Sequence, residues 1–337
     1  MNTISLSVVM PTYNCRALLG RHIDAMLGWI DLAHEIIVVD SRSTDGSLQF
    51  IRDRLRHPKI RFIERERGLY ASWNEGISST VGSWVYISTA GDTIDRTQLL
   101  HLHELGERTA ADVVISQPRF VDERGEPIPE LKWPAHEIIA NCADGSRPFM
   151  LSPTALAILA SIHCPGCILG SSASNLYRGD VLRARPFPTD FRGGGDTVWL
   201  MRHSLSLRAC LTPRVGSVFC VHRKDEPLTP TEAVAFMLSL QAEKLSLARG
   251  IQEAATERDW SILIEEAMLQ GQARALLQRR RAGGAAGPAR PWALARWVWL
   301  TAAYGWHRTR VRWVRRNILE ALFGSKASAS GHCQPVP

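Results

Sequence analysis

Five short apolar runs recur through the first third of the chain, at residues 4–10, 35–40, 60–64, 84–88 and 111–116. The first is rich in β-branched residues and ends at Pro11. The second, Glu35-Ile36-Ile37-Val38-Val39-Asp40, ends in a carboxylate, and Thr44-Asp45-Gly46-Ser47 then opens a helix reaching about Leu55. Near-continuous apolar strands of this length suit positions covered on both faces, as in parallel sheets. Helical stretches over 18–27 and 70–78 alternate with them, and right-handed crossovers then lay helices against the sheet. The expectation is an α/β fold, a mostly parallel sheet flanked by helices. Ligands of such sheets gather beyond the carboxyl ends of the strands, which directs attention to Pro11-Thr12-Tyr13-Asn14 and to residues 40–45 and 89–93.

From Gln117 to Cys167 the alternation fades and proline accumulates, which reads as an insertion with an irregular start and a helix near 153–162. Mixed structure returns over 170–220, with a helix over 196–204 and a strand over 215–221, and residues 226–281 read as a helical extension. The small-residue segment 282–291 suits a flexible linker, 292–324 a basic helix, and 325–337 a disordered tail. The net charge of +7 is concentrated at this end: from Arg279 onward 11 Lys and Arg face the single acid Glu320. Seven scattered cysteines read as reduced thiols, and Cys164-Pro165-Gly166-Cys167 has no second pair to complete a tetrahedral zinc site. The start of the chain shows no secretion signal, so a cytoplasmic location is expected.

Ser7-Val8-Val9-Met10-Pro11-Thr12-Tyr13-Asn14, then Ile36-Ile37-Val38-Val39-Asp40-Ser41-Arg42-Ser43-Thr44-Asp45-Gly46-Ser47, then Thr89-Ala90-Gly91-Asp92, resemble in type, order and spacing the family 2 glycosyltransferases of the GT-A (Rossmann-like) fold. The resemblance is strong over about residues 5–115. It continues more loosely to about His222, through residues 170–178 and Gly193-Gly194-Gly195-Asp196-Thr197-Val198-Trp199. It implies a catalytic domain over 1–225, with a donor part at 1–116 and an acceptor part at 117–225. It also implies inverting transfer of a sugar from a nucleotide diphosphate donor, UDP-sugar favoured, to a hydroxyl of a glycan or lipid-linked acceptor in bacterial polysaccharide or cell-wall assembly.

The residues support that chemistry. Tyr13 at a strand end can lie against a base, and Asp40 can accept a hydrogen bond from the base imide; the plain alternative is that Asp40 caps a turn and Tyr13 packs. Pro11, Thr12, Asn14 and Ser41 frame the same nucleotide pocket on the family's pattern. Arg67, Gly68 and Asn74 lie in the stretch that the family runs along the donor. A helix start and a cation suit an anion there, so Arg67 either meets the diphosphate or ribose or pairs with Glu64 or Glu66. Asp92, after a tight turn at Gly91, is a hard oxygen ligand for Mg²⁺ or Mn²⁺ held against two phosphates. The family usually writes two carboxylates at this motif, and Ala90 takes the other place. His222 either completes the metal site or sits in a surface loop. Asp196, after three glycines and before an amphipathic helix, is the candidate general base, a role compatible with helix capping; Gly195 replaces the first member of the family's acidic pair. These two departures keep open a catalytically silent nucleotide-sugar binding or scaffolding protein. A nucleotidyltransferase is disfavoured, because no Gly-rich pyrophosphate loop follows the first strand.

Trp292, Trp299, Trp306 and Trp313 recur every seven residues, with Trp297 nearby and arginines at 290, 296, 308, 310, 312, 315 and 316. On a helix this spacing gives an indole stripe beside a cationic surface, suited to the interface of an anionic membrane. Arg296 interrupts a stretch too short to span a bilayer, so a peripheral contact through 292–324 at the inner face of the cell membrane is expected. An oligomer seam, a stripe packed on the core, and nucleic-acid binding are the competing readings.

Overall fold

The computed structural model describes residues 4–142, 145–222, 229–254, 261, 264–273, 291–323 and 332–336. Its strands, in chain order, are β1 (Leu6–Thr12), β2 (Ala33–Asp40), β3 (Ile60–Glu64), β4 (Trp84–Ile87), β5 (Thr93–Ile94), β6 (Val113–Ser116), β7 (Arg119–Val121), β8 (Phe149–Leu151), β9 (Asn175–Arg178), β10 (Ala209–Thr212), β11 (Ser217–Cys220) and β12 (Cys333–Pro335). Nine form one sheet in the order β3-β2-β1-β4-β9-β6-β10-β8-β12, and β5, β11 and β7 form a small second sheet. In the large sheet only β9 and β8 run against the others, so the architecture is the expected mostly parallel one.

Side-chain alternation along β1 explains the layering. Val8 and Met10 enter a core with Leu19 and Ile23, whereas Val9 enters a second core with Trp73 and Ile77 on the opposite face. Gly76 lets helix Leu69–Ser78 press onto the sheet, since a Cβ there would come within 2.4 Å of Val9 Cγ1. Pro11 does not end β1: it pairs in register with Val39, and Thr12 with Asp40, which sets two polar side chains at adjoining strand ends.

The insertion is more regular than its proline content suggested. Besides helix Pro153–His163 it holds helix Pro134–Asn141 and strands β7 and β8. Helix Arg96–Thr109 starts at Asp95, whose carboxylate accepts the Gln98 N–H, a cap the apolar pattern alone did not reveal. The extension is helical over Pro230–Ala254 and 264–273, joined by a buried ion pair between Lys244 and Glu266 at 3.0 Å. Helix Pro291–Phe323 buries Val314, Ile318 and Leu322 in the core that also holds Trp73. The reading of the chain end as disordered is corrected over 332–336: β12 pairs antiparallel with β8 and Val336 is buried. β12 satisfies backbone groups that β8 would otherwise leave open at the sheet edge. The expected linker at 282–290 and the residues 325–331 lie outside the described residues.

Candidate active site

Because β1, β2 and β4 run parallel, their carboxyl ends open on one side of the sheet. The loops after β1 and β2 are stitched together there. Asn14, in the left-handed region at φ 41, accepts the Thr44 N–H at 2.8 Å, and Asp45 accepts the Arg16 N–H at 2.9 Å. Asp40 is buried and takes three donors: the Thr12 hydroxyl at 2.9 Å, and the Ser43 hydroxyl and N–H at 2.7 Å each. A carboxylate has about four acceptor positions, so one stays open on Oδ2. Arg67 lies over the Tyr13 ring at 4.4 Å, while Glu64 pairs with Arg52 and Glu66 with Arg42. Tyr13 and Arg67 are thus brought together at the strand ends. Asn74 is not: its amide clasps the Phe187 backbone at 2.8 Å in both directions, which fixes helix Leu69–Ser78 to the segment ahead of Gly195.

Asp92 follows the turn at Gly91, whose φ of +94° favours glycine. Its carboxylate is 3% exposed and is caged by the Thr89 hydroxyl at 2.7 Å, the Ser171 hydroxyl at 2.7 Å and the Cys220 N–H at 3.0 Å. Burial pushes its pKa up to about 6 against those donors. The small sheet explains the convergence, since β5 starts beside Asp92 and its neighbour β11 ends at Cys220. His22, buried on the apolar face of helix Leu19–Leu27, holds the turn from behind through Nδ1 and the Asp92 carbonyl at 2.6 Å. His222 is exposed, its Nδ1 donating to the Cys220 carbonyl at 2.9 Å, and it stands close enough to favour ionised Asp92. That bond orients the ring as metal-ligating histidines commonly are, with the other nitrogen available. Among the described residues no group of three metal-ligating side chains forms. Asp92 and His222 are linked through Cys220, whose N–H donates to the carboxylate and whose carbonyl accepts from the ring.

Asp196, half-buried, starts helix Gly195–His203 and accepts the Thr197 N–H at 2.7 Å. Burial raises its pKa, while the Thr197 N–H, the Tyr70 hydroxyl and the Cys167 thiol near it pull the other way. Gly195 leaves no room for the acid that the family's pattern places there. A Cβ would meet the Pro188 carbonyl oxygen and the Tyr70 ring, each at 2.5 Å.

One segment runs between the two carboxylates. Segment 167–171 offers Cys167 to Asp196 and Ser171 to Asp92, and five residues separate their end Cα atoms by at most about 14 Å. A turn from Gly170 N–H to the Cys167 carbonyl at 3.2 Å shortens that span. Helix Leu69–Ser78 links Asp196 to the Asp40 loop instead, with Tyr70 near Asp196 and Ser72 at Ser41, the hydroxyls of the serine pair 3.0 Å apart. Tyr70, Ser171, Cys167 and His22 were not among the site residues read from the sequence. His22 was findable, because it shares the helical face of Leu19, Ile23 and Met26; the contact made by Cys167 depends on a chain reversal that no local pattern encodes.

A mostly parallel sheet flanked by helices, with polar loops beyond its strand ends, is the GT-A type of architecture. Residues 7–168 match the family described as Glycosyl transferase family 2. The chain is similar to the poly(ribitol-phosphate) beta-glucosyltransferase of Bacillus spizizenii, 24% identical over 61% of this chain and 30% of that protein. It is also similar to the succinoglycan biosynthesis protein ExoO of Rhizobium meliloti, 25% identical over 36% of each. The chain thus spans about a third of the length of these curated relatives. Among solved structures, S. aureus TarS 1–349 in complex with UDP-GlcNAc superposes with a TM-score of 0.56 at 14% identity, covering 97% of this chain and 92% of that one. The same protein in complex with UDP gives 0.57 at 15% identity, covering 94% of this chain and 91% of that one. At these identities the likeness is one of fold.

Proposed function

We propose that the chain transfers a sugar from a nucleoside diphosphate donor, a UDP-sugar by preference, to a hydroxyl of a glycan or lipid-linked acceptor in bacterial cell-wall or polysaccharide assembly. The observation that carries this reading is that one short segment, 167–171, donates to Asp92 through Ser171 and brings Cys167 near Asp196. The glycosyltransferase names of its relatives and the UDP and UDP-GlcNAc complexes of S. aureus TarS support the donor class. Tyr13 with Arg67 faces the nucleotide, and the open position on Asp40 receives an N–H of the base.

Asp196 takes the proton of the acceptor hydroxyl as that oxygen bonds to the anomeric carbon, and the bond from that carbon to the diphosphate oxygen breaks. A single displacement of this kind inverts the anomeric centre. Asp92 and His222 hold Mg²⁺ or Mn²⁺, which when bound neutralises charge on the departing diphosphate. The protein works in the cytoplasm, on the side of the membrane where activated sugars are made.

A second reading, a nucleotide-sugar binding protein without turnover, rests on Ala90 and on the space-filling requirement at Gly195. Purified protein incubated with UDP-sugars and Mn²⁺ separates the two. Metal-dependent UDP release that disappears in Asp92→Ala and Asp196→Asn supports transfer, whereas tight donor binding with no release under any metal or acceptor supports the silent protein.

A further inference from the structure

Three large indoles stand in solvent on helix Pro291–Phe323. Trp299 is 62% exposed, Trp306 57% and Trp313 59%. Exposure of that degree is unusual for tryptophan, which is highly buried on average. A seven-residue step slips only about 20° around a helix, so the three rings form one column roughly 20 Å long. The opposite side of the helix is occupied. Val314, Ile318 and Leu322 are buried in the main core, and Arg315 reaches His163 Nδ1 at 2.6 Å and Glu137 at 3.6 Å. The tryptophans therefore do not face the body, and the helix is fixed with its indole column turned outward.

Charge selects the partner. Exposed Arg308, Arg312 and Arg316, spaced by four, form a second column on the outward flank, and Glu320 is the one acid of the whole helix. Two copies meeting through this face would bring arginine columns together, which like-charge repulsion opposes. A surface of fixed negative charge above an apolar layer complements both columns at once: indoles settle at the headgroup level and guanidinium groups pair with phosphates. Among the described residues no helix is long and apolar enough to cross a membrane. We infer that the Trp299–Trp306–Trp313 and Arg308–Arg312–Arg316 columns form a docking surface for an anionic lipid bilayer. This inference is independent of the proposed reaction, because its readout requires no turnover.

The test is sedimentation of the full-length protein with vesicles of phosphatidylcholine alone or mixed with phosphatidylglycerol. Binding is expected only to the mixed vesicles and weakens as salt is raised. Trp299→Ser/Trp306→Ser/Trp313→Ser should reduce vesicle affinity at least about tenfold. Arg308→Gln/Arg312→Gln/Arg316→Gln should reduce it on the order of a hundredfold at low salt. Both triple variants should keep the wild-type melting temperature and UDP affinity, since neither column touches the core. The inference is overturned if the wild-type protein ignores the mixed vesicles or binds both kinds equally. It is also overturned if the indole variant instead dissolves a dimer seen by light scattering, or abolishes binding of a single-stranded oligonucleotide while vesicle binding is unchanged.

Discussion

Asp92 and Asp196 are both carboxylates flanking segment 167–171, yet the chain holds them in different ways. Asp92 is sealed, with three donors from three separate segments fixing both of its oxygens. Asp196 is half-open at a helix start, and two of its neighbours, Tyr70 and Cys167, carry protons of their own. An immobilised carboxylate with one acceptor position to spare suits a stationary charge. A partly open one beside proton-bearing groups suits a proton that must arrive and leave. The contrast teaches that equal chemistry at two positions becomes unequal function through what is packed around each.

Asp196→Asn tests this division most severely. Turnover should fall by roughly 10²- to 10⁴-fold, the usual range for a lost general base, while UDP affinity stays unchanged. A loss of UDP affinity of similar size would place Asp196 in the donor pocket and erase the distinction. Asp92→Asn comes next, with turnover down by about 10²- to 10³-fold and a matching loss of metal dependence. Its effect on stability has the opposite sign. The folded protein keeps the Asp92 proton up to about pH 6, whereas the unfolded chain releases it near 3.8. Between those values the native state binds more protons, so stability falls as pH rises through the window, and ionised Asp92 weighs against the fold above it. Asparagine keeps the bond from the Cys220 N–H and donates to the hydroxyls of Thr89 and Ser171, which rotate to accept. A higher melting temperature at pH 7 to 8 with almost no activity is the expected pairing, and a lower one would show that the charge supports the fold. In the unaltered enzyme, activity should decline as pH drops through about 6, where Asp92 takes up its proton.

The same contrast explains what could be read in advance. The strands of the first third of the chain are legible because burial on both faces demands apolar runs, and the strand ends are then fixed by topology. Tyr13, Asp40 and Asp92 follow from that rule with a family resemblance added. Ser171 and Cys167 do not, because their contacts depend on how a proline-rich insertion turns back on the sheet. Asn74 shows the limit of transferring a family's pattern, since its polarity serves the backbone at Phe187. The C-terminal strand was hidden for a related reason: Cys333–Pro335 has no pattern of its own and takes its structure from the open edge of β8.

Gly195 offers a smaller and mainly structural test of why the second acid is missing. Gly195→Ala should cost about 1–3 kcal/mol, measured by denaturant unfolding, because its Cβ is forced against the Pro188 carbonyl and the Tyr70 ring. Gly195→Asp should cost at least as much and gain no activity. If the aspartate variant is instead stable and faster, the family's acidic pair fits here after all and Asp196 is not the sufficient base.

Tyr70→Phe is expected to have the smallest effect and the most informative one. The hydroxyl lies between the Gly193 carbonyl, at 3.2 Å, and Asp196, while the ring is fixed by Trp73 and Phe187 and should stay in place. The nearby hydroxyl lowers the Asp196 pKa against burial, so removing it moves that pKa further upward, in the direction burial already pushes it. The acid limb of the kcat profile should therefore shift to higher pH, and kcat at a pH well above the limb should change only severalfold. A merely structural role for Tyr70 would lower kcat at every pH without moving the limb. A shift to lower pH would show that the hydroxyl does not serve the ionised carboxylate, and the division of labour between Asp196 and Asp92 would have to rest on exposure alone.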